Sequence, residues 1–120
     1  MKNVIKLQSK YDQVDAYWTP HIVSSLNGQD VKIAKVKGDF IWHDHADEDE
    51  LFYVMKGELG IEFRDGTQII SEGEMIVVPR GVEHRPFANE ECWIMLFEPA
   101  QTKHTGSVES ELTVKDLKRI

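Results

Sequence analysis

His43 and His45 stand two residues apart, and in an extended chain the side chains at i and i+2 leave the same face, so these two imidazoles can converge on one ion. Taken alone, two histidines beside an acidic stretch equally suit a solvated surface loop. Spacing downstream bears on the choice. Glu50 follows His45 with four residues between, room for the chain to turn and return antiparallel, and Gly57 comes after six more. Then come Gly73, five residues, Pro79, one residue, Gly81, two residues and His84. His21 and His104 lack any such context and read as surface or loop residues. Cys92 sits in an apolar block and reads as a small core residue. No Gly-x-Ser-x-Gly elbow and no phosphate-cradling glycine loop accompanies it.

The elements that must position these groups are short strands. Apolar residues recur with period two or in short blocks, and Gly, Pro, Asn or Asp interrupt them at roughly eight- to twelve-residue spacing, the cadence of an all-β sandwich or barrel. A polar opening with a short helix begun by Ser9 leads to a strand over 21–26. Asn27-Gly28 then suits a type I′ hairpin turn, which needs positive φ at both central residues. Further strand-like blocks cover 31–36, 40–45, 50–55, 59–63, 68–70, 75–78 and 92–97. Thr113 followed by Asp116 fits an N-cap and its third-position partner, which predicts a short C-terminal helix over 114–120. Alternation carries Ile41 inward with His43 and His45, and Phe52 and Val54 inward with Glu50. On the last strand either Cys92, Ile94 and Leu96 or Trp93, Met95 and Phe97 point inward.

These motifs resemble those of the cupin superfamily. Gly38, His43, His45, Glu50 and Gly57 match the first cupin motif, and Gly73, Pro79, Gly81 and His84 match the second. Two departures concern turns: Gly38 precedes His43 by four intervening residues where the family usually has five, and Ala88 stands where the second motif often ends in asparagine, with Asn89 one further. The resemblance implies an all-β fold, an antiparallel double-stranded β-helix (jelly-roll barrel) with short N- and C-terminal segments. It also implies that His43, His45, Glu50 and His84 bind one divalent metal inside the barrel, with Asp49 as an alternative carboxylate. Three imidazoles and a carboxylate suit iron(II), manganese, nickel, cobalt or zinc. The rest of the acidic run, Asp44, Asp47, Glu48 and Asp49, lacks the glycine and alternation of an EF-hand and reads as a solvated turn, with Asp44 or Asp47 placed to orient an imidazole. Family likeness further implies a homodimer, and Tyr17-Trp18 could cap an interface or close one end of the barrel.

At 120 residues the chain is expected to form a single domain over 1–120, its core barrel spanning about 20–100. The apolar fraction of 41% and charged fraction of 29% are globular values. Fourteen Lys and Arg against 21 Asp and Glu give a net charge of -7, a field that repels phosphate polymers and anionic lipid surfaces, so neither nucleic acid nor membrane is an expected partner. No signal-peptide pattern opens the chain and Cys92 is the lone cysteine, which together point to the cytoplasm. Two functions follow as expectations. One is a metal-dependent isomerase, lyase or dioxygenase acting on a small oxygen-rich molecule, with Arg64, Arg80 and Arg85 as candidate cations for an acidic substrate. The other is a non-catalytic sugar or metabolite binding module using the same barrel.

Overall fold

A computed structural model describes residues 2–106, 108, 113 and 116–120 and turns the alternating stretches into one short helix and seven strands. In chain order these are α1 (Leu7–Tyr11), β1 (His21–Leu26), β2 (Gln29–Asp39), β3 (Glu50–Lys56), β4 (Glu58–Phe63), β5 (Gly66–Ser71), β6 (Met75–Val78) and β7 (His84–Pro99). All pairings between these strands are antiparallel. The sheet runs β1-β2-β7-β3-β6, with β4 joined to β7 and β5 joined to β4. Among the described residues no helix is long and apolar enough to cross a membrane. Asn27 and Gly28 both adopt positive φ, 51° and 75°, as the hairpin between β1 and β2 requires.

The sixteen residues of β7 organise the sheet. One edge pairs with β2 from Gln29↔Pro99 to Asp39↔Phe87. The other edge pairs with β4 at residues 84–87 and with β3 at residues 93–97. The sequence reading found only the second half of this strand, because Pro86 and Asn89-Glu90-Glu91 look like a turn. Those last three residues are exposed and sit where the register jumps from Val36↔Cys92 to Gly38↔Ala88. Gly38 takes φ +82° at this bulge, and Ala88 is buried in the core at 2% exposure.

Residues 40–45 do not form the expected strand. His43 makes a single two-way bridge to His84, N to O at 3.0 and 2.9 Å. Phe40 donates its N–H to Pro86 O at 2.9 Å, and proline has no N–H to return, so the ladder stops there.

Alternation places two apolar clusters on opposite faces of the strands. The interior holds Ala34, Val36, Phe52, Val54, Leu59, Ile61, Ile94 and Leu96, with Cys92 fully buried among them. The other cluster joins Tyr11, Val14, Val23 and Ile33, with Trp93 and Ile120 packed against it. Tyr11 anchors α1 there, donating its hydroxyl to Ile94 O at 2.6 Å and stacking on Trp93 at 4.8 Å. The helix begins at Leu7, so Ser9 lies inside it, and Lys6 occupies the N-cap position with no side-chain hydrogen bond. Of the expected C-terminal helix, residues 114 and 115 lie outside the described residues, and 116–120 are not helical. There Ile22 exchanges backbone hydrogen bonds with Lys118 O (2.8 Å) and Ile120 N (2.9 Å), a pairing that a helix would forfeit.

Gly57 closes the turn from β3 to β4 with φ +90°, and a Cβ added to it would lie 3.0 Å from Glu91 O. Gly57→Ala therefore meets both left-handed backbone strain and a backbone contact that cannot move cheaply. It should lower unfolding free energy by about 1–3 kcal/mol, read as a reduced urea midpoint at unchanged m-value.

Candidate metal centre

Four side chains from three places in the chain meet inside the barrel. His43 and His45 come from the loop between β2 and β3, Glu50 is the first residue of β3, and His84 is the first of β7. Their exposures are 3%, 4%, 2% and 0%, and one nitrogen or oxygen from each lies within 4.8 Å of all the others. Glu50 Oε1 is 3.3 Å from His45 Nε2 and 3.7 Å from His84 Nε2. The His43 and His84 rings lie 4.4 Å apart.

Backbone carbonyls set two of the imidazoles. His43 Nδ1–H donates to Ile41 O and His84 Nδ1–H to Val82 O, both at 2.9 Å, in each case two residues back along the chain. A carbonyl only accepts, so the proton sits on Nδ1 and each Nε2 keeps its lone pair. The role offered to Asp44 or Asp47 is thus filled by the main chain. On its other nitrogen His45 faces Glu48, with Nδ1 and Oε1 4.0 Å apart.

His45 Nε2, His84 Nε2 and Glu50 Oε1 are buried and have no hydrogen-bond partner among the described residues. Leaving such atoms unpaired is costly, and natural interiors rarely do so without a reason. Here the unpaired atoms face one another. Ligand atoms sit about 2.0–2.2 Å from a transition ion, so donors up to about 4.4 Å apart can share one, as the 3.3 and 3.7 Å separations of Glu50 from His45 and His84 allow. Protonation also suits the purpose. Burial and the neighbouring His84 lower the His43 pKa to about 4, which keeps the imidazole neutral. Burial alone would raise the Glu50 pKa, but contacts with Glu98, His45 and His84 outweigh it and hold the carboxyl well below its usual range. Neutral imidazoles and an ionised carboxylate are the forms that bind metal.

Asp49 does not compete for this place. It is exposed and accepts from Arg80 through the backbone N–H at 2.9 Å and the guanidinium at 3.3 Å. The other candidate cations are committed similarly, Arg64 to Glu83 at 2.7 Å and Arg85 to Glu62 at 2.7 Å. Among the described residues no arginine lines the cavity beside the cluster.

That cavity measures about 30 Å³, enough for a water or two. Its walls include Trp18, Phe40, Phe52, Ile94 and Leu96, with His43 and Glu50 reaching its edge. The inward set of the last strand is therefore Cys92, Ile94 and Leu96. Trp18 stacks on Phe40 at 4.7 Å, closing this part of the barrel. Ile41 is half-buried and does not line the cavity, because its segment is not a strand. Two histidines read as surface residues are buried, His21 at 9% and His104 at 7%. His104 lines the cavity and stacks on Phe40 at 5.7 Å. It arrives by a turn after β7 that has no periodicity, so nothing in the local sequence marks it. Cys92 is the core residue expected, with burial pushing its thiol up to about 12.

The depressed His43 pKa fixes a sign. Between about pH 6.5 and pH 4 the unfolded chain binds a proton at residue 43 that the metal-free folded chain does not, so stability falls as pH drops through this window. One such proton corresponds to about 1.4 kcal/mol per pH unit. Denaturation of metal-free protein across pH 4–7 should show this slope, and His43→Gln should make it shallower by about one proton.

The cupin domain family matches residues 29–97, more than half of the chain. The uncharacterized protein YdbB of Bacillus subtilis is 33% identical over 86 residues, covering 71% of this chain and 74% of that protein. A cupin-2 domain containing protein from Shewanella frigidimarina has a crystal structure that superposes with a TM-score of 0.79 at 47% identity, over 80% of this chain and 94% of that one. Protein NMB1881 from Neisseria meningitidis gives 0.75 at 33% identity, over 82% of this chain and all (100%) of that one. The matched span contains both histidine motifs and the strands that converge on them, and the chain belongs to the cupin domain family.

Proposed function

We propose that His43, His45, Glu50 and His84 hold one divalent transition metal, iron(II), manganese, nickel, cobalt or zinc, and that the protein is a metal-dependent enzyme for a small oxygen-bearing molecule. The observation that carries this reading is the convergence of buried, unpartnered donor atoms at the edge of a cavity. A bound ion would supply Lewis-acid activation of a carbonyl, enol or carboxylate, or a site for dioxygen. The chain's own contribution is shape and exclusion. Phe52, Ile94 and Leu96 keep bulk water from the open side of the cluster, and Trp18 and Phe40 limit what can enter. The absence of arginine from the lining speaks against a phosphorylated sugar as substrate. His104 is a titratable side chain on the same cavity outside the four proposed ligands, and its position favours chemistry over storage.

A second reading, a non-catalytic module that binds a metabolite, draws support from the small and mostly apolar cavity. Two measurements separate the possibilities. Protein dialysed against manganese(II) or iron(II) should retain about one equivalent of metal, and folded His43→Ala and His84→Ala variants should retain far less. Variants that keep as much metal as the parent would show that the site is wrong. Small diketones, uronates and enols should then be screened with the metal-loaded parent. Turnover or oxygen uptake that disappears in His84→Ala supports the enzyme, while ligand binding without turnover supports the module.

A further inference from the structure

Beside Glu50 lies a buried lysine–glutamate pair that the four-residue cluster does not include. Leu51 pairs with Phe97 and Phe52 with Leu96 across β3 and β7, and one step further along that register sets Glu50 beside Glu98. Both point to the interior, as Phe52 and Leu96 do, at 2% and 0% exposure. Facing side chains on one face of adjacent antiparallel strands stand about 4.5–5.5 Å apart at Cβ, so the two carboxyl groups are neighbours, and Glu98 carries the proton between them, burial and the Glu50 charge holding its carboxyl well above the usual range while Glu50 is held below it. Lys32, 1% exposed on β2, donates Nζ to Glu98 Oε1 at 2.8 Å and to Thr102 O at 3.3 Å. Glu98 Oε2 receives no hydrogen bond among the described residues.

A lysine and a glutamate buried together inside a barrel are a poor source of stability, because desolvation offsets their attraction and an apolar pair of similar volume often does as well. Their placement points to another use. A ligating carboxylate needs a neighbour that holds its plane, and such neighbours tune metal affinity strongly. On the β7 side the Glu50 side chain meets His84, at 3.7 Å, and Glu98 at the facing position, and Lys32, anchored also on the Thr102 carbonyl, holds Glu98 in place.

We propose that Lys32 and Glu98 are positioning residues for the metal centre: Lys32 anchors the Glu98 carboxyl, and Glu98 sets the orientation of the Glu50 carboxylate toward His45 and His84. This rests on the reading of the four-residue cluster as a metal site. Neither residue touches the cavity, so the pair acts only through Glu50.

Cobalt(II) is the probe, titrated into the full chain and followed by its visible absorption, which reports coordination geometry as well as affinity. Glu98→Gln should bind close to the parent with the same band shape, since the amide oxygen still accepts from Lys32 and its NH2 group still reaches Glu50. Glu98→Leu and Lys32→Met should weaken cobalt binding by about tenfold to a hundredfold and shift the bands. Each single change strands the buried side chain of the other, so the double variant Lys32→Met/Glu98→Leu, which removes both, guards against loss of folding. Circular dichroism checks its fold, and it should bind as weakly as Glu98→Leu. A folded double variant with the parent's affinity and spectrum would overturn the positioning role while leaving the metal site standing. A parent that binds no cobalt, or binds it unchanged after His84→Ala, would overturn the metal site and this inference with it.

Discussion

Because β7 hydrogen-bonds along both edges, to β2 on one side and to β4 and β3 on the other, it fixes the relative positions of groups that are far apart in sequence. Its first residue, His84, pairs with Phe63 on β4 and is bridged on its own backbone by His43, which pulls the loop carrying His43 and His45 onto the barrel. Its second half aligns β3, so Glu50 enters from the adjoining strand at a set height. Strand side chains alternate faces, so a slip of one residue in either register would send the ligating set outward. The strand thus turns two short motifs into one constellation. Its bulge at Gly38 and Ala88 lets a single strand serve both halves of the barrel without breaking the inward alternation of Cys92, Ile94 and Leu96.

The interior built this way is electrostatically uneven. Most of it is aliphatic and aromatic, yet three histidines, two glutamates and a lysine are buried together near its centre. Main-chain carbonyls direct the protons of His43 and His84 away from Glu50, and the imidazole nitrogens that remain face the carboxylate. Such an arrangement pays for itself only if a cation completes it, since unpaired buried donors and acceptors otherwise weigh against the folded state. The surface shows the opposite policy. Arg64, Arg80 and Arg85 each meet an acid outside the barrel, so the net charge of -7 comes with a cavity that no lysine or arginine lines among the described residues. The charge of the whole chain therefore carries little information about what the cavity can hold.

Local sequence revealed much of this and stopped at definite points. Period-two alternation located the strands, Asn27-Gly28 located a hairpin, and the spacing of His43, His45, Glu50 and His84 matched a known motif pair. Errors arose where pairing overrode local pattern. Pro86 and Asn89-Glu90-Glu91 carry turn composition within β7, and residues 40–45 alternate like a strand but have a proline opposite them that cannot return a hydrogen bond. Ser9 and Thr113 carry cap signals, yet the helix at Ser9 begins two residues earlier and residues 116–120 pair with Ile22.

What the sequence by itself determined was the kind of donor atoms, their order, and the alternation that puts every second residue on one face, because these depend only on residue type and backbone geometry. Tertiary structure alone decided which face of residues 92–97 points inward and that His104 reaches the cavity. It also placed Lys32 and Glu98 beside Glu50. Each of those outcomes depends on the register between strands or on a partner dozens of residues away, and a local pattern carries no record of which strand will lie next to it.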